Sequence, residues 1–150
     1  MGARHKARKR ALDILFEADQ RGEPIDSVLA DRAARGDAAA NPYTQTLVAG
    51  FLAHRDEIDA LIAEHAVDWP LDRMPAVDRA LLRLATYELR WGDEVSPAVA
   101  IDEAVELAKE LCTDESPGFV NGVMGRIAAP CPLVGAVPHR LRSTKGSPHP

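Results

Sequence analysis

The stretch from residue 75 to residue 91 constrains the fold most, because a helix over it would be apolar around most of its circumference. Its apolar positions form two adjacent strips, Val77, Leu81, Leu84 and Trp91 on one and Leu82, Ala85 and Leu89 on the other. The clearly polar strip is narrow and consists of Arg79, Arg83, Thr86 and Arg90. A helix of this kind is buried on several sides. We therefore predict a helical bundle with this segment at its centre.

Composition and helix-start signals predict an all-α fold around that segment. The 150 residues suffice for a hydrophobic core, Ala and Leu are abundant, and runs of β-branched residues are rare. Proline follows a helix-capping residue at positions 41–42, 96–97 and 116–117. We expect six to seven helices, since the polar run 54–57 would kink or split the third. The predicted ranges are 4–20, 24–36, 41–65, 75–91, 97–111 and 117–127.

Two boundaries divide the chain. A connector bounded by proline at residues 69–75 separates an N-terminal helical half, 4–68, from a C-terminal half, 71–128. Beyond residue 128 the chain is rich in Pro, Gly and basic residues, a composition that does not bury a core. We therefore predict one helical domain over 1–128 and a disordered basic tail over 129–150.

The net charge of −5 hides a strong asymmetry along the chain. Residues 1–10 carry five Lys and Arg and no acid, and residues 129–150 carry three and no acid. The remaining ten Lys and Arg share the middle of the chain with all 23 Asp and Glu. An acidic body with a basic N-terminal segment lets one surface meet a polyanion while the rest repels it.

The basic arm, residues 4–10, runs directly into an amphipathic helix. The apolar face of that helix is formed by Ala7, Ala11, Ile14, Leu15 and Ala18. A cationic arm anchored in this way is typical of nucleic-acid binding, which we favour over a merely solubilising terminus. Because cations at a helix start oppose the helix dipole, we expect the arm to be frayed in the free protein and to become ordered on a polyanion.

Sequence motifs of enzymes and metal sites are missing. There is no glycine-rich phosphate loop, nucleophile elbow or metal-spaced cluster, so we predict no catalytic residue, cofactor or metal. The two cysteines, Cys112 and Cys131, have no paired spacing and fit a reducing cytoplasm. No apolar run approaches the roughly 18 residues of a membrane helix, so we expect no membrane association.

Four positions leave alternatives open. Phe16 lies away from the main apolar face of its helix, so either a helix of the same domain or a protein partner covers it. Asp78 lies within an apolar strip. Its negative charge either stabilises the start of the helix through the helix dipole or is a charged point in a docking surface. Glu88 has the position of a buried acid paired with an arginine. Phe119 is at the edge of an apolar stripe and is either buried or free to stack a base.

Three glycines of the last predicted helix share one face. Gly118, Gly122 and Gly125 are spaced i, i+4 and i+7. Because each glycine within a helix costs up to about 1 kcal/mol relative to alanine, we expect a neighbouring helix to approach this face closely.

Four segments in order resemble the NusB family of transcription antitermination factors. They are RKRALDILF at 8–16, VDRALLRL at 77–84 with YEL at 87–89, AIDEAVELAK at 100–109 and FVNGV at 119–123. The resemblance covers residues 4–128 and implies an all-α protein of two three-helix-like halves that is not an enzyme. It implies binding of single-stranded boxA RNA in nascent ribosomal RNA transcripts together with NusE, a ribosomal protein, in a complex with RNA polymerase.

The resemblance also assigns site residues. It implies that the RNA surface consists of Arg4, His5, Lys6, Arg8, Lys9, Arg10 and Phe119. It places Phe16 and Asp78 on the surface that faces NusE. The chain departs from the family pattern at Pro117 and Gly118, and Glu115 puts an acid close to the expected RNA path. Some family members form homodimers that hide the RNA surface.

Three other functions stay open. The chain could be a helical adaptor that binds only protein, and its arm would then be inert. It could be a NusB-like domain of an RNA methyltransferase. The lack of a glycine-rich nucleotide fold argues against this function. It could be a small RNA enzyme such as a ribonuclease, which would convert RNA to products.

Overall fold

A computed structural model describes residues 2–36 and 42–129, and within them the chain forms seven α-helices. The helices are α1 Ala3–Arg21, α2 Ile25–Ala34, α3 Pro42–Ala53, α4 Arg55–His65, α5 Ala76–Trp91, α6 Pro97–Leu111 and α7 Ser116–Ala128, with a 3-10 turn at Leu71–Arg73 before α5. The all-α prediction is confirmed, and the third predicted helix is split at His54. The predicted tail, apart from Ala129, and the predicted cap Asn41 lie outside the described residues.

The helix ends follow local backbone chemistry. Gly22 ends α1 in the left-handed conformation, with φ 64°, and the next N–H, of Glu23, donates to the Ala18 carbonyl at 3.0 Å. Glycine adopts this conformation without the steric cost of a Cβ. At the start of α6 the Ser96 hydroxyl accepts a hydrogen bond from the Val99 N–H at 3.2 Å, and Pro97 occupies the first turn. These signals explain why the sequence predicted most boundaries to within a few residues.

Helix α5 is the centre of the bundle, as its apolar circumference predicted. It packs against α1, α3, α4, α6 and α7. One continuous core combines Ile14 of α1, Leu82 of α5 and Val120 of α7, all fully buried. The connector at 69–75 therefore separates two halves in sequence, while their side chains share a single core.

In the described part of the chain, no helix combines the length and the apolar character that crossing a bilayer requires.

Close approach of helices occurs at Gly50 and not at the predicted glycine face. A Cβ on Gly50 would overlap the Tyr87 ring. For Gly118 and Gly125, no described heavy atom lies within 4 Å of a Cβ, and a Cβ on Gly122 would meet only the Arg126 guanidinium at 3.4 Å. The prediction for α7 is wrong because that helix buries its opposite face, which consists of Val120, Val123, Met124 and Ile127.

Alanine substitutions at Gly50 and Gly125 should change stability in opposite directions. Gly50→Ala should lower the free energy of unfolding by about 1–3 kcal/mol, because the Tyr87 ring must leave its place beside Trp91. Gly125→Ala should raise it by up to about 1 kcal/mol, because the new methyl group meets open space within a helix. Urea denaturation followed by circular dichroism measures both, and equal shifts in one direction would contradict the packing described.

Candidate nucleic-acid interface

The basic arm is a folded part of α1. Its residues form the first turns of the helix, and His5 and Arg8 are each only 6% exposed. The expectation of a frayed arm is therefore wrong for the free chain. The physical reason lies in acids of other segments, which pair with the arm and offset the repulsion between its cations and the helix dipole.

Arg8 is buried between helices and holds a carboxylate of α5. Its Nε and Nη2 donate to the two Glu88 carboxylate oxygens at 2.9 and 2.7 Å, and its Nη1 donates to Glu103 at 3.3 Å. The Tyr43 hydroxyl of α3 donates a short hydrogen bond to the same Glu88 carboxylate. The prediction that Glu88 is a buried acid paired with an arginine is confirmed.

The charges of this cluster support one another. Burial acts to lower the pKa of the Arg8 guanidinium, but the hydrogen bonds and charge of Glu88 outweigh it and leave that pKa raised. Burial, and then the hydrogen bond to Glu88, raises the pKa of Tyr43. Arg8 thus stays charged and is enclosed by its own partners. Its position does not suit the direct RNA contact that the resemblance implied.

His5 is the second residue of the arm that points inward. Its Nδ1 lies 3.2 Å from a Glu103 carboxylate oxygen, and its Nε2 lies 3.1 Å from a Glu110 carboxylate oxygen. Both acids belong to α6, so His5 joins the start of α1 to that helix. As with Arg8, this geometry indicates a positioning role.

Three cations of the arm have solvent-exposed side chains: Arg4, Lys6 and Lys9. Arg4 pairs with Glu94 in the α5–α6 loop at 2.6 Å and Lys9 with Glu110 at 2.7 Å, while both cations stay 40% or more exposed. Hydrogen bonds from Lys9 and then His5 lower the pKa of the Glu110 carboxyl.

Lys6 and Arg10 complete the set of arm cations. Lys6 is exposed, and within residues 2–36 and 42–129 it has no ion pair. Arg10, one helical turn further on, is partly exposed. The arm therefore presents cations outward from a rigid helix.

Phe119 lies in α7, away from the arm. Its ring is partly buried and meets Trp69 edge to face, with ring centroids 4.8 Å apart. The start of α7 is bound to the start of α5, because the Ser116 hydroxyl donates to Asp78, whereas the arm is bound near the end of α5 at Glu88. The structure therefore does not bring Phe119 into contact with the arm, although both lie on the same body.

The two residues expected to face NusE differ in exposure. Phe16 is 38% exposed on α1. Asp78 is 1% exposed and accepts a hydrogen bond from the buried Ser116 hydroxyl at 2.6 Å. The interpretation of Asp78 as a charged point on a docking surface is wrong for the free chain, because the side chain is not exposed there. The carboxylate turns inward because a buried hydroxyl needs an acceptor there.

Sequence reasoning missed the acids that hold the arm. Glu103 and Glu110 are seven residues apart in α6, so they project from one helical face. That spacing was the available signal, but it does not show which basic segment lies opposite.

The Cys112 thiol lies close to the buried Asp78. Burial, and then the charge of Asp78, raise the pKa of this thiol to about 12.

Within the described ranges, no group of three or more His, Cys, Asp and Glu side chains could hold a metal ion.

Comparisons with known proteins agree on one family. The NusB family model matches residues 5–129. The transcription antitermination protein NusB of Saccharopolyspora erythraea is 59% identical over 146 residues, which cover 96% of this chain and 94% of that protein. The protein of the same name from Streptomyces griseus is 58% identical over 131 residues, with 84% of this chain and 92% of that protein covered.

Solved structures are similar over most of the chain. NusB of T. maritima is 33% identical with a TM-score of 0.71, covering 85% of this chain and 91% of that one. A crystal structure of the antitermination factors NusB and NusE in complex with double-stranded RNA contains a chain that is 29% identical, with a TM-score of 0.69. The match covers 85% of this chain and 98% of that one.

Alanine substitutions at Arg8 and Arg4 should lower the free energy of unfolding by different amounts, because Arg8 is buried and Arg4 is exposed. Arg8→Ala should lower the free energy of unfolding by about 3–5 kcal/mol, because Glu88 is then buried without its counter-charge. Arg4→Ala should lower it by no more than about 1 kcal/mol, because its ion pair is exposed to solvent. Urea denaturation at neutral pH measures both variants. Equal losses would show that Arg8 is not the internal anchor.

Proposed function

We propose, since the chain belongs to the NusB family, that it is a transcription antitermination factor that acts by binding and not by catalysis. In this proposal it binds single-stranded boxA RNA of nascent ribosomal RNA transcripts together with NusE. RNA polymerase joins the complex indirectly, and the site of action is the cytoplasm, where the transcript emerges.

The observation that carries the proposal is the rigid basic arm on an acidic body. Arg4, Lys6 and Lys9 project from the first turns of α1, which buried side chains hold in place. Phosphates gain affinity from such cations through charge-assisted hydrogen bonds and counterion release. The solved complex that contains NusB, NusE and RNA supports the same pairing of ligands for this chain.

Within the proposed RNA site, the residues have three roles. Arg4, Lys6 and Lys9 contact phosphates, and Arg10 lies one helical turn beyond Lys6 on the same side as Lys6. His5 and Arg8 position the helix from within. Phe119 offers a partly exposed ring at a distance from the arm, where an RNA strand that continues across the body could stack a base.

The proposed NusE surface centres on Phe16. An aromatic ring that is 38% exposed on an otherwise well-packed helix is suited to a protein interface. Asp78 contributes by holding the start of α7 through Ser116. In this proposal RNA and NusE also contact each other when both are bound, so each ligand should raise the affinity for the other by the same factor.

Neutralising Lys6 should weaken RNA binding in a salt-dependent way. Lys6→Gln should lower the affinity for single-stranded boxA-like RNA several-fold and reduce the slope of log affinity against log salt by about 0.7, because one phosphate contact is lost. Arg35→Gln, which removes an exposed cation at the end of α2, is the matched control and should leave the slope unchanged.

Fluorescence anisotropy at several salt concentrations, with and without NusE, measures these affinities. A duplex of the same RNA tests the preference for single strands. Point variants are preferable to deletion of residues 1–10, which would also remove the buried Ala7 and Arg8. If the wild-type chain binds NusE but no RNA in any condition, the protein-only adaptor becomes the better account. RNA cleavage in the same samples would point to an enzyme.

Truncating Phe16 should affect NusE alone. Phe16→Ala should weaken NusE binding about tenfold or more, since buried aromatic anchors carry much of the energy of an interface. Val67→Ala is the control, because Val67 is the more exposed apolar residue at 74% and is outside the proposed surface. Isothermal titration calorimetry with NusE measures both. Equal losses of NusE affinity in the two variants would argue against placing Phe16 on the NusE surface. Loss of RNA binding by Phe16→Ala in the absence of NusE would argue against it as well. Light scattering of each variant excludes dimerisation as the cause of a change in affinity.

A further inference from the structure

Within residues 2–36 and 42–129, the acids whose ion pairs with Arg4, Arg8 and Lys9 are established here fall into two classes. The Glu88 side chain is 4% exposed and Glu103 is 31% exposed; these two hold the inward Arg8. Glu94 and Glu110 are 51% and 38% exposed, and each holds an exposed cation of the arm. The second class occupies the cations that the RNA proposal assigns to phosphates.

We propose that Glu94 and Glu110 are built-in competitors of RNA, which each hold an arm cation in the free protein until a phosphate displaces them. This inference rests on the proposed RNA-binding function and concerns how the same site is regulated. The competing contacts are Arg4 Nη2 to Glu94 at 2.6 Å and Lys9 Nζ to Glu110 at 2.7 Å. A phosphate oxygen accepts from the same N–H groups that these carboxylates occupy.

Because Glu94 and Glu110 are exposed, an RNA phosphate can replace each of them as the partner of its arm cation. The acids that hold Arg8 are less exposed. An exposed ion pair is weak, and the high charge density of RNA lets phosphates replace the carboxylate. The buried pair of Arg8 and Glu88 has no such route, because separating it would leave a charge without solvent or partner. The inner pairs thus keep the arm folded while the outer pairs exchange.

Glu110 has a second contact that keeps its negative charge close to the bound strand. Its Oε2 faces Lys9, while its Oε1 lies 3.1 Å from the buried His5 ring. When a phosphate takes Lys9, the contact with His5 still holds the Glu110 carboxylate beside the arm. There it repels the RNA backbone.

Displacing these carboxylates reduces the favourable binding free energy of every RNA at the arm by the same amount. Such a cost lowers binding to arbitrary RNA, which depends mainly on phosphate contacts. An RNA that gains further contacts, through its bases or through NusE, can overcome it. Glu94 and Glu110 therefore make stable binding depend on the complete complex.

The test compares three charge-neutralising variants that differ only in what the acid contacts. Glu110→Gln and Glu94→Gln remove the negative charges that pair with Lys9 and Arg4, while Arg4 Nη1 keeps its hydrogen bond to the main-chain carbonyl of residue 94 at 3.2 Å. Glu106→Gln is the matched control, since Glu106 is exposed on the same helix as Glu110 but pairs with Lys109. The probe is a fluorescein-labelled single-stranded boxA-like RNA, together with a scrambled RNA of equal length, at low and moderate salt without NusE.

Glu110→Gln and Glu94→Gln should each raise the affinity for both RNAs about 3–10-fold at low salt, and Glu106→Gln by less than about twofold. In a Lys9→Gln background, the gain from Glu110→Gln should be clearly smaller than in the wild-type chain, because the carboxylate then has no arm lysine to release and only its repulsion of the RNA backbone is removed. Circular dichroism melting shows that each variant is folded.

The outcomes distinguish this inference from the function on which it rests. If the wild-type chain binds RNA and Glu110→Gln and Glu94→Gln match Glu106→Gln, the acids act only through general repulsion and the competitor proposal is wrong. If the gain from Glu110→Gln is as large in the Lys9→Gln background as in the wild-type chain, the assigned pair is wrong. If neither the wild-type chain nor any variant binds RNA, the RNA function itself fails, and this inference fails with it.

Discussion

The buried ion pair between Arg8 and Glu88 is the interaction on which the rest of the structure depends. It joins α1 to α5, and the Tyr43 hydroxyl brings α3 to the same carboxylate. Neither charge can be buried without the other, so the pair fixes how far α1 extends along the central helix. The position of every outward cation of the arm follows from that register.

The acidic body and the basic arm are therefore parts of one arrangement. Carboxylates of α5, α6 and the loop between them face the first turns of α1 and neutralise cations that the helix dipole alone would repel. Inner pairs give the arm its rigidity, and outer pairs leave Arg4 and Lys9 in contacts that a phosphate can replace. A helix held from within and charged on its outer side is suited to bind a polyanion in one defined orientation.

Much of the fold could be predicted from the sequence, because helix periodicity and capping residues act locally. The central place of α5, the helix start at Ser96 and the buried acid at Glu88 follow from such signals. The roles of adjacent cations could not be predicted, since Arg8 and Lys9 look alike until α6 is in place. Asp78 and the glycine face of α7 were misjudged for the same reason: periodicity defines a face but not what covers it.

Native-state hydrogen exchange of the α1 backbone tests the central claim most directly. In the free protein without RNA, the amides of residues 7–11 should exchange as slowly as the core amides of α5, because buried side chains tie this turn to the global fold. Exchange close to that of an unstructured peptide, with protection appearing only when RNA is added, would contradict the account. It would mean that the arm is frayed and that the buried ion pair does not hold it.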